Sequence, residues 1–195
     1  MIKSKKEYKE YLKYEKNRYY KSYPHLTKEH KNIMKFLKIY RKKEYYYNCK
    51  KNIFLKKIID MKYDILCEKY SIFIPINTIE KGLTIVHLGP IYINKNAKIG
   101  QDLRIHPMTT IAPKLGSKKA PIIKKGVWIG PGARIYGNIT IGDNIVIGAN
   151  SVVNKSFESN ITIAGIPAKK INSKKYLDYF HKDKKEDGNF ERDCK

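Results

Sequence analysis

Five histidines and three cysteines are the side chains of this 195-residue chain best suited to proton transfer, nucleophilic attack or metal binding near neutral pH. Cys49, Cys67 and Cys194 are odd in number and share no metal-ligand spacing. That argues against a zinc ribbon and a disulfide framework, and it fits a reducing compartment. His87 stands in the apolar segment IVHLGPI, six residues before Ile93, in a slot where a repeat would otherwise place an aliphatic residue. An imidazole titrating near neutrality can take the proton of an attacking hydroxyl. A lone histidine in an apolar segment also suits a satisfied structural role. His106 follows Ile105 at a turn, where it can line a pocket, stabilise an oxyanion or sit on the surface. His25, His30 and His181 fall outside the repeat and carry no assigned chemistry. Two histidines at unsuitable spacing do not make a three-histidine metal site, so no metal is expected.

The elements that must position these histidines are legible as a period of six. Ile93, Ile99, Ile105 and Ile111 are six apart, as are Ile123, Ile129, Ile135, Ile141, Ile147 and Val153. A second small or aliphatic series precedes each by two residues, among them Ala97, Leu103, Val127, Ala133 and Ile139. Ordinary alternating strands would show a period of two. Six residues make one short strand and one turn, and three such units close a triangular coil whose aliphatics point inward. Residues 71–171 therefore read as a parallel β-helix, with residues 172–195 as a tail that forms a short helix and is otherwise disordered. The period slips twice. The step from Ile85 to Ile93 is eight, and the run APKLGSKKAP over 112–121 reads as a loop extruded from the coil. Function tends to sit where a regular scaffold is interrupted.

Residues 1–70 read as helical. Tyr8, Tyr11, Leu12 and Tyr19 share a helix face over about 4–21, and Pro24 ends it. Thr27 is a candidate cap for Ile33, Phe36, Leu37 and Tyr40, and a third helix lies within 44–69. The formal net charge is +23, of which +13 falls in residues 1–70 and +9 in 71–171. No nucleic-acid motif accompanies the charge, which reads as a solvated helical face. The first residues are charged and lack an apolar core, so no signal peptide is expected, and no apolar run approaches a membrane span.

The segments GLTIVHLGPIYINKNAKIG (82–100), VWIGPGARIYGNITIGDNIVIGANSVV (127–153) and IAGIPAKKI (163–171) resemble the serine acetyltransferase branch of the left-handed β-helix acyltransferases. RKKEYYYNCKK is similar to a subgroup seen among surface-polysaccharide acetyltransferases. The resemblance implies a mainly β fold, a left-handed parallel β-helix preceded by an α-helical region. It implies acetyl-CoA-dependent O-acetylation in a homotrimer with sites between subunits and no covalent enzyme intermediate. The family's catalytic histidine falls on His87, with His106 a second candidate. The coenzyme A arm would pass Ala112, Pro131, Gly132, Ala149 and Ser151. Lys155 and Lys169 would meet its phosphates, as Lys124, Lys125 and Lys170 also could by charge.

The family's serine-recognising aspartates fall on Ile72 and Val86, and a second loop histidine falls on Ala120. This departure favours a sugar hydroxyl of a capsule or O-antigen precursor, free or lipid-linked, over L-serine. The corresponding location is cytoplasmic, with peripheral contact at the inner membrane face and no nucleic-acid partner. Two other classes stay open: a non-catalytic trimeric scaffold, and a basic membrane or nucleic-acid binder acting through residues 1–70.

Overall fold

The computed structural model describes residues 1–176 and 178–181. The expected tail beyond residue 181 lies outside the described residues. Three helices come first: α1 (Lys5–Ser22), α2 (Lys28–Cys49) and α3 (Ile53–Tyr70). Each begins at a polar cap. Ser4 accepts from the Glu7 N–H, and Asn52 accepts from the Leu55 N–H. At α2, Thr27 and His30 cap each other reciprocally, the His30 Nδ1 accepting from the Thr27 N–H at 3.2 Å. The apolar spacing from Ile33 to Tyr40 marks only part of the second helix, and the sequence places the third within 44–69. The second helix runs to Cys49, taking in residues 44–49, because Arg41, Glu44 and Tyr45 bury the next turn against α1 and the first coil. None of the described helices is long and apolar enough to cross a membrane.

The strands follow in threes. They are β1 (Ile72–Phe73), β2 (Thr84–Ile85), β3 (Ile91–Ile93), β4 (Lys98–Ile99), β5 (Arg104–Ile105), β6 (Thr109–Ala112) and β7 (Ile122–Ile123). Then come β8 (Trp128–Ile129), β9 (Arg134–Tyr136), β10 (Thr140–Ile141), β11 (Val146–Ile147), β12 (Val152–Val153), β13 (Thr162–Gly165), β14 (Ala168–Asn172) and a final turn of helix, α4 (Asp178–His181). The pairings form three parallel faces: β1-β3-β6-β9-β12, β4-β7-β10, and β2-β5-β8-β11-β13, the last capped by antiparallel β14. Ile85, Ile105, Ile129, Ile147 and Ile163 are in register and fully buried, one above another. Each such side chain removed from water stabilises the prism by about 1.5–3 kcal/mol.

The two breaks in the period are local insertions. The corner between β2 and β3 spans residues 86–90, whereas the equivalent corner between β5 and β6 spans only 106–108. His87 therefore does not fill an inward slot, as its spacing from Ile93 suggested. It projects from the enlarged corner, while Ile85 and Ile93 occupy the core. The loop after β6 leaves at Pro113 and returns at Pro121, whose carbonyl accepts from the Lys98 N–H; Leu115 is fully exposed and Ala120 buried.

Buried polar ties clamp the helices to the prism. Arg41 donates to Glu15 at 2.7 Å, to Glu44 at 2.8 Å, and to the carbonyls of Ile79 and Glu80. The Tyr19 hydroxyl donates to the carbonyl of Ile85, and Arg18 pairs with Asp102 at 3.0 Å. These ties hold α1 and the second half of α2 against the first coils, with Tyr19 on the strand that leads into His87.

Candidate active site

The site forms where the N-terminus of α2 meets the enlarged corner. Glu29 is the second residue of α2, in the first turn after the Thr27 cap. Its Oε1 accepts from the Leu88 N–H at 2.8 Å, and its Oε2 lies 3.3 Å from the His87 Nδ1. The same carboxylate thus pins the corner's backbone and its imidazole. Partial burial pushes the Glu29 carboxyl up, but the Leu88 N–H and His87 outweigh it, so Glu29 stays below the ordinary carboxylate value and ionised at neutral pH. With Nδ1 facing a carboxylate, the ring's proton belongs on Nδ1, which leaves Nε2 as a proton acceptor. The His87 side chain is 57% exposed, so that nitrogen is open to a reactant.

His106 lies one coil further on, its ring centroid 6.4 Å from that of His87. It is half-buried, with Trp128 meeting it edge to face at 4.8 Å. Burial first, then the neighbouring Arg104 and His87 charges, depress its imidazole to about 4. At pH 7 it is a neutral ring that still carries one N–H donor.

From His106 a strip with almost no side chains runs down the same prism edge. Backbone bonds link His106 to Ile129, Gly130 to Ile147 and Gly148 to Ile163, so His106, Gly130, Gly148 and Ala164 stack in successive coils. Ala164 pairs with Lys169 on β14. Four strand spacings, roughly 19 Å, separate His106 from Lys169. A Cβ on Gly130 would stand 2.8 Å from the Ala149 nitrogen, and one on Gly148 would stand 2.8 Å from the Ala164 Cβ. The close approach of coils thus requires glycine at both places.

Of the residues picked from the sequence, Pro131, Gly132 and Ala149 line the corner beside this strip, with the Asn150 N–H on the Pro131 carbonyl. Ser151 is fully buried, its hydroxyl donating to the Gly148 carbonyl and accepting from the Gly165 N–H. That hydroxyl is therefore already engaged within the protein. Ala112 ends β6 and Lys155 follows β12, toward the next corner and about 10 Å or more along the face. Lys124 and Lys125 sit at the third corner, and Lys170 lies on β14. One chain alone does not bring Ala112, Lys155, Lys124 or Lys125 to His87. Ile72, Val86 and Ala120 are all buried. Among the described residues no cluster of His, Cys, Asp or Glu could hold a metal ion.

Glu29 escaped the sequence reading, which left His87 without a carboxylate partner. An acid in the first turn of a helix reads as a match to the helix dipole. Nothing in the spacing links it to a histidine 58 positions away. Trp128 escaped for a similar reason, being an outward residue in an otherwise regular repeat.

A family described as bacterial transferase hexapeptide (six repeats) matches residues 120–155. Serine acetyltransferase of Buchnera aphidicola from Schizaphis graminum is 36% identical over 118 residues, which cover 57% of this chain and 44% of that protein. The Escherichia coli K12 serine acetyltransferase is 34% identical over 97 residues, covering 49% of this chain and 36% of that one. The match thus spans less than half the length of these curated relatives. Among solved structures, serine acetyltransferase of Neisseria gonorrhoeae superposes with a TM-score of 0.71 at 23% identity, covering 96% of this chain and 73% of that one. A Brucella abortus serine acetyltransferase in complex with coenzyme A gives 0.73 at 24% identity, covering 87% and 70%. The fold is the left-handed parallel β-helix with an α-helical region in front. The relatives are serine acetyltransferases, so the resemblance to a polysaccharide-modifying subgroup finds no support in them.

Proposed function

We propose that the protein transfers an acetyl group from acetyl-CoA to a hydroxyl acceptor, with His87 as general base. The observation that carries this is the Glu29–His87 pair, set in an enlarged corner beside a strip of His106, Gly130, Gly148 and Ala164 that ends at Lys169. Acetyl-CoA supplies an acyl carbon bearing a thiolate leaving group. Its extended, anionic shape suits a strip that offers backbone beside Pro131, Gly132 and Ala149 and a cation at the far end.

The acceptor hydroxyl donates its proton to the His87 Nε2 as its oxygen bonds to the acyl carbon. Glu29 holds the Nδ1 proton and stabilises the imidazolium that results. His87 then returns the proton to the departing sulfur, so no group of the protein is acylated. His106, kept neutral by burial, offers its N–H to charge developing on the carbonyl oxygen. In the homotrimer that the resemblance implies, the Ala112 and Lys155 corner of a neighbouring copy flanks the same strip.

The named relatives make L-serine the first acceptor to test. A sugar hydroxyl is the second reading, favoured by one observation: Ile72, Val86 and Ala120 offer buried apolar atoms where the resemblance leads one to expect carboxylates and a histidine. The test is thiol release from acetyl-CoA with L-serine and with a panel of sugars and nucleotide sugars. Release should depend on an acceptor and vanish in His87→Ala. Acceptor-dependent release that survives in His87→Ala, or no release with any acceptor, overturns the proposal; the second result favours a scaffold. The ratio of kcat/KM for serine and for a sugar decides between the two acceptors.

A further inference from the structure

The N-terminal end of α3 lies a full helix length, about 27 Å, from the point where the chain enters the first coil. It carries the run Lys50-Lys51-Asn52-Ile53-Phe54-Leu55-Lys56-Lys57. Ile53 is 69% and Phe54 72% exposed, an unusual placement for two large apolar side chains in sequence. The inner face of α3 is already used, with Ile59, Tyr63, Leu66 and Tyr70 buried against the core. A second apolar stripe therefore runs down its outside. Met61 and Ile65, 57% and 55% exposed, continue from Phe54 at helical spacing.

The charges around the N-terminal tip of this stripe, residues 50–57, are of one sign. Lys50, Lys51, Lys57 and Lys62 have no ion-pair partner among the described residues. Of the three acids of this helix, Asp60 and Asp64 lie 3.1 and 3.7 Å from Lys43, and Glu68 stands at the opposite end, away from Ile53 and Phe54. A second copy of the chain would set one lysine-ringed tip against another, like charge against like. Nucleic acid would use the lysines but leave Ile53, Phe54, Met61 and Ile65 in water. Apolar side chains that enter the acyl boundary, with long cationic side chains reaching the headgroups around them, fit an anionic lipid surface.

We propose that the outer face of α3 docks the protein onto anionic membranes, with Ile53 and Phe54 as the inserting side chains and Lys51 and Lys57 among the headgroup contacts. The reading is independent of the acetyl-transfer proposal, and its test does not use activity. The full chain is sedimented with phosphatidylcholine vesicles with and without phosphatidylglycerol. Binding should require the anionic lipid. It should fall roughly tenfold or more in Ile53→Ser/Phe54→Ser and roughly tenfold in Lys51→Gln/Lys57→Gln. A charge-matched pair on the exposed loop, Lys118→Gln/Lys119→Gln, should bind as the parent does. Melting followed by circular dichroism confirms that each variant folds. Three results overturn the proposal: an equal loss in the loop pair, which would make binding a matter of bulk charge; unchanged binding in Ile53→Ser/Phe54→Ser; and a change of oligomeric state in that variant without lipid, which would make a second copy the occupant.

Discussion

Glu29→Gln is the sharpest test of the site because it changes one charge and almost no volume. Oε1 accepts from Leu88 and Oε2 faces His87, so the amide keeps the first contact and loses the charged second one. A hydrogen bond to a charged group contributes about 1.5–3 kcal/mol when shielded. Here the partners are 57% and 37% exposed, so solvent screening reduces the pair to about 1 kcal/mol. That loss falls on the transition state, where His87 becomes cationic, and lowers kcat about fivefold. The amide NH2 can also donate to Nδ1, which moves the ring proton to Nε2 and blocks the base; that raises the loss to tenfold or more. Steady-state thiol release from acetyl-CoA gives kcat and KM for both substrates. The fall should appear in kcat, with each KM little changed, and Glu29→Asp should lie between parent and Gln. Nitrogen NMR of the imidazole reads the tautomer directly, without turnover. A Glu29→Gln enzyme with parental kcat and an unchanged tautomer would refute the reasoning. So would a loss confined to KM.

His106 has its folded-state value depressed from 6.5 to about 4, so its neutral form contributes stability that is complete above about pH 6.5 and is lost as pH falls toward 4; melts of His106→Gln should show a flatter dependence on pH across that window than the parent. Arg41→Met strands Glu15 and Glu44 in the core and should destabilise the protein by about 3–5 kcal/mol in urea unfolding, with part regained when Glu15→Gln and Glu44→Gln are added. Gly130→Val places carbon against the Ala149 backbone and in the strip; it should cost about 1–3 kcal/mol and raise KM for acetyl-CoA far more than it lowers kcat.

The repeat was readable because it is local. One inward aliphatic every six residues is a property of each short strand and turn, so Ile93, Ile105 and Ile129 announce a coil without reference to distant chain. The slip after Ile85 and the loop after Ala112 were readable for the same reason, as breaks in a count. The direction of His87 was not. Its distance from Ile93 fits the inward period, but the two extra residues of the corner turn it outward beside Leu88.

What the sequence by itself determined is the scaffold, the two places where its period breaks, and the position of His87 at the first of them. Periodic burial leaves a trace in every repeat. What only the tertiary structure decided is which groups His87 and His106 meet. Glu29 reaches His87 because Arg41, Tyr19 and Arg18 lock α1 and α2 against the first coil. Trp128 meets His106 because neighbouring coils stand in register. Both contacts join residues far apart in the chain, and their strength follows from desolvation and charge at the meeting point, which no local pattern records.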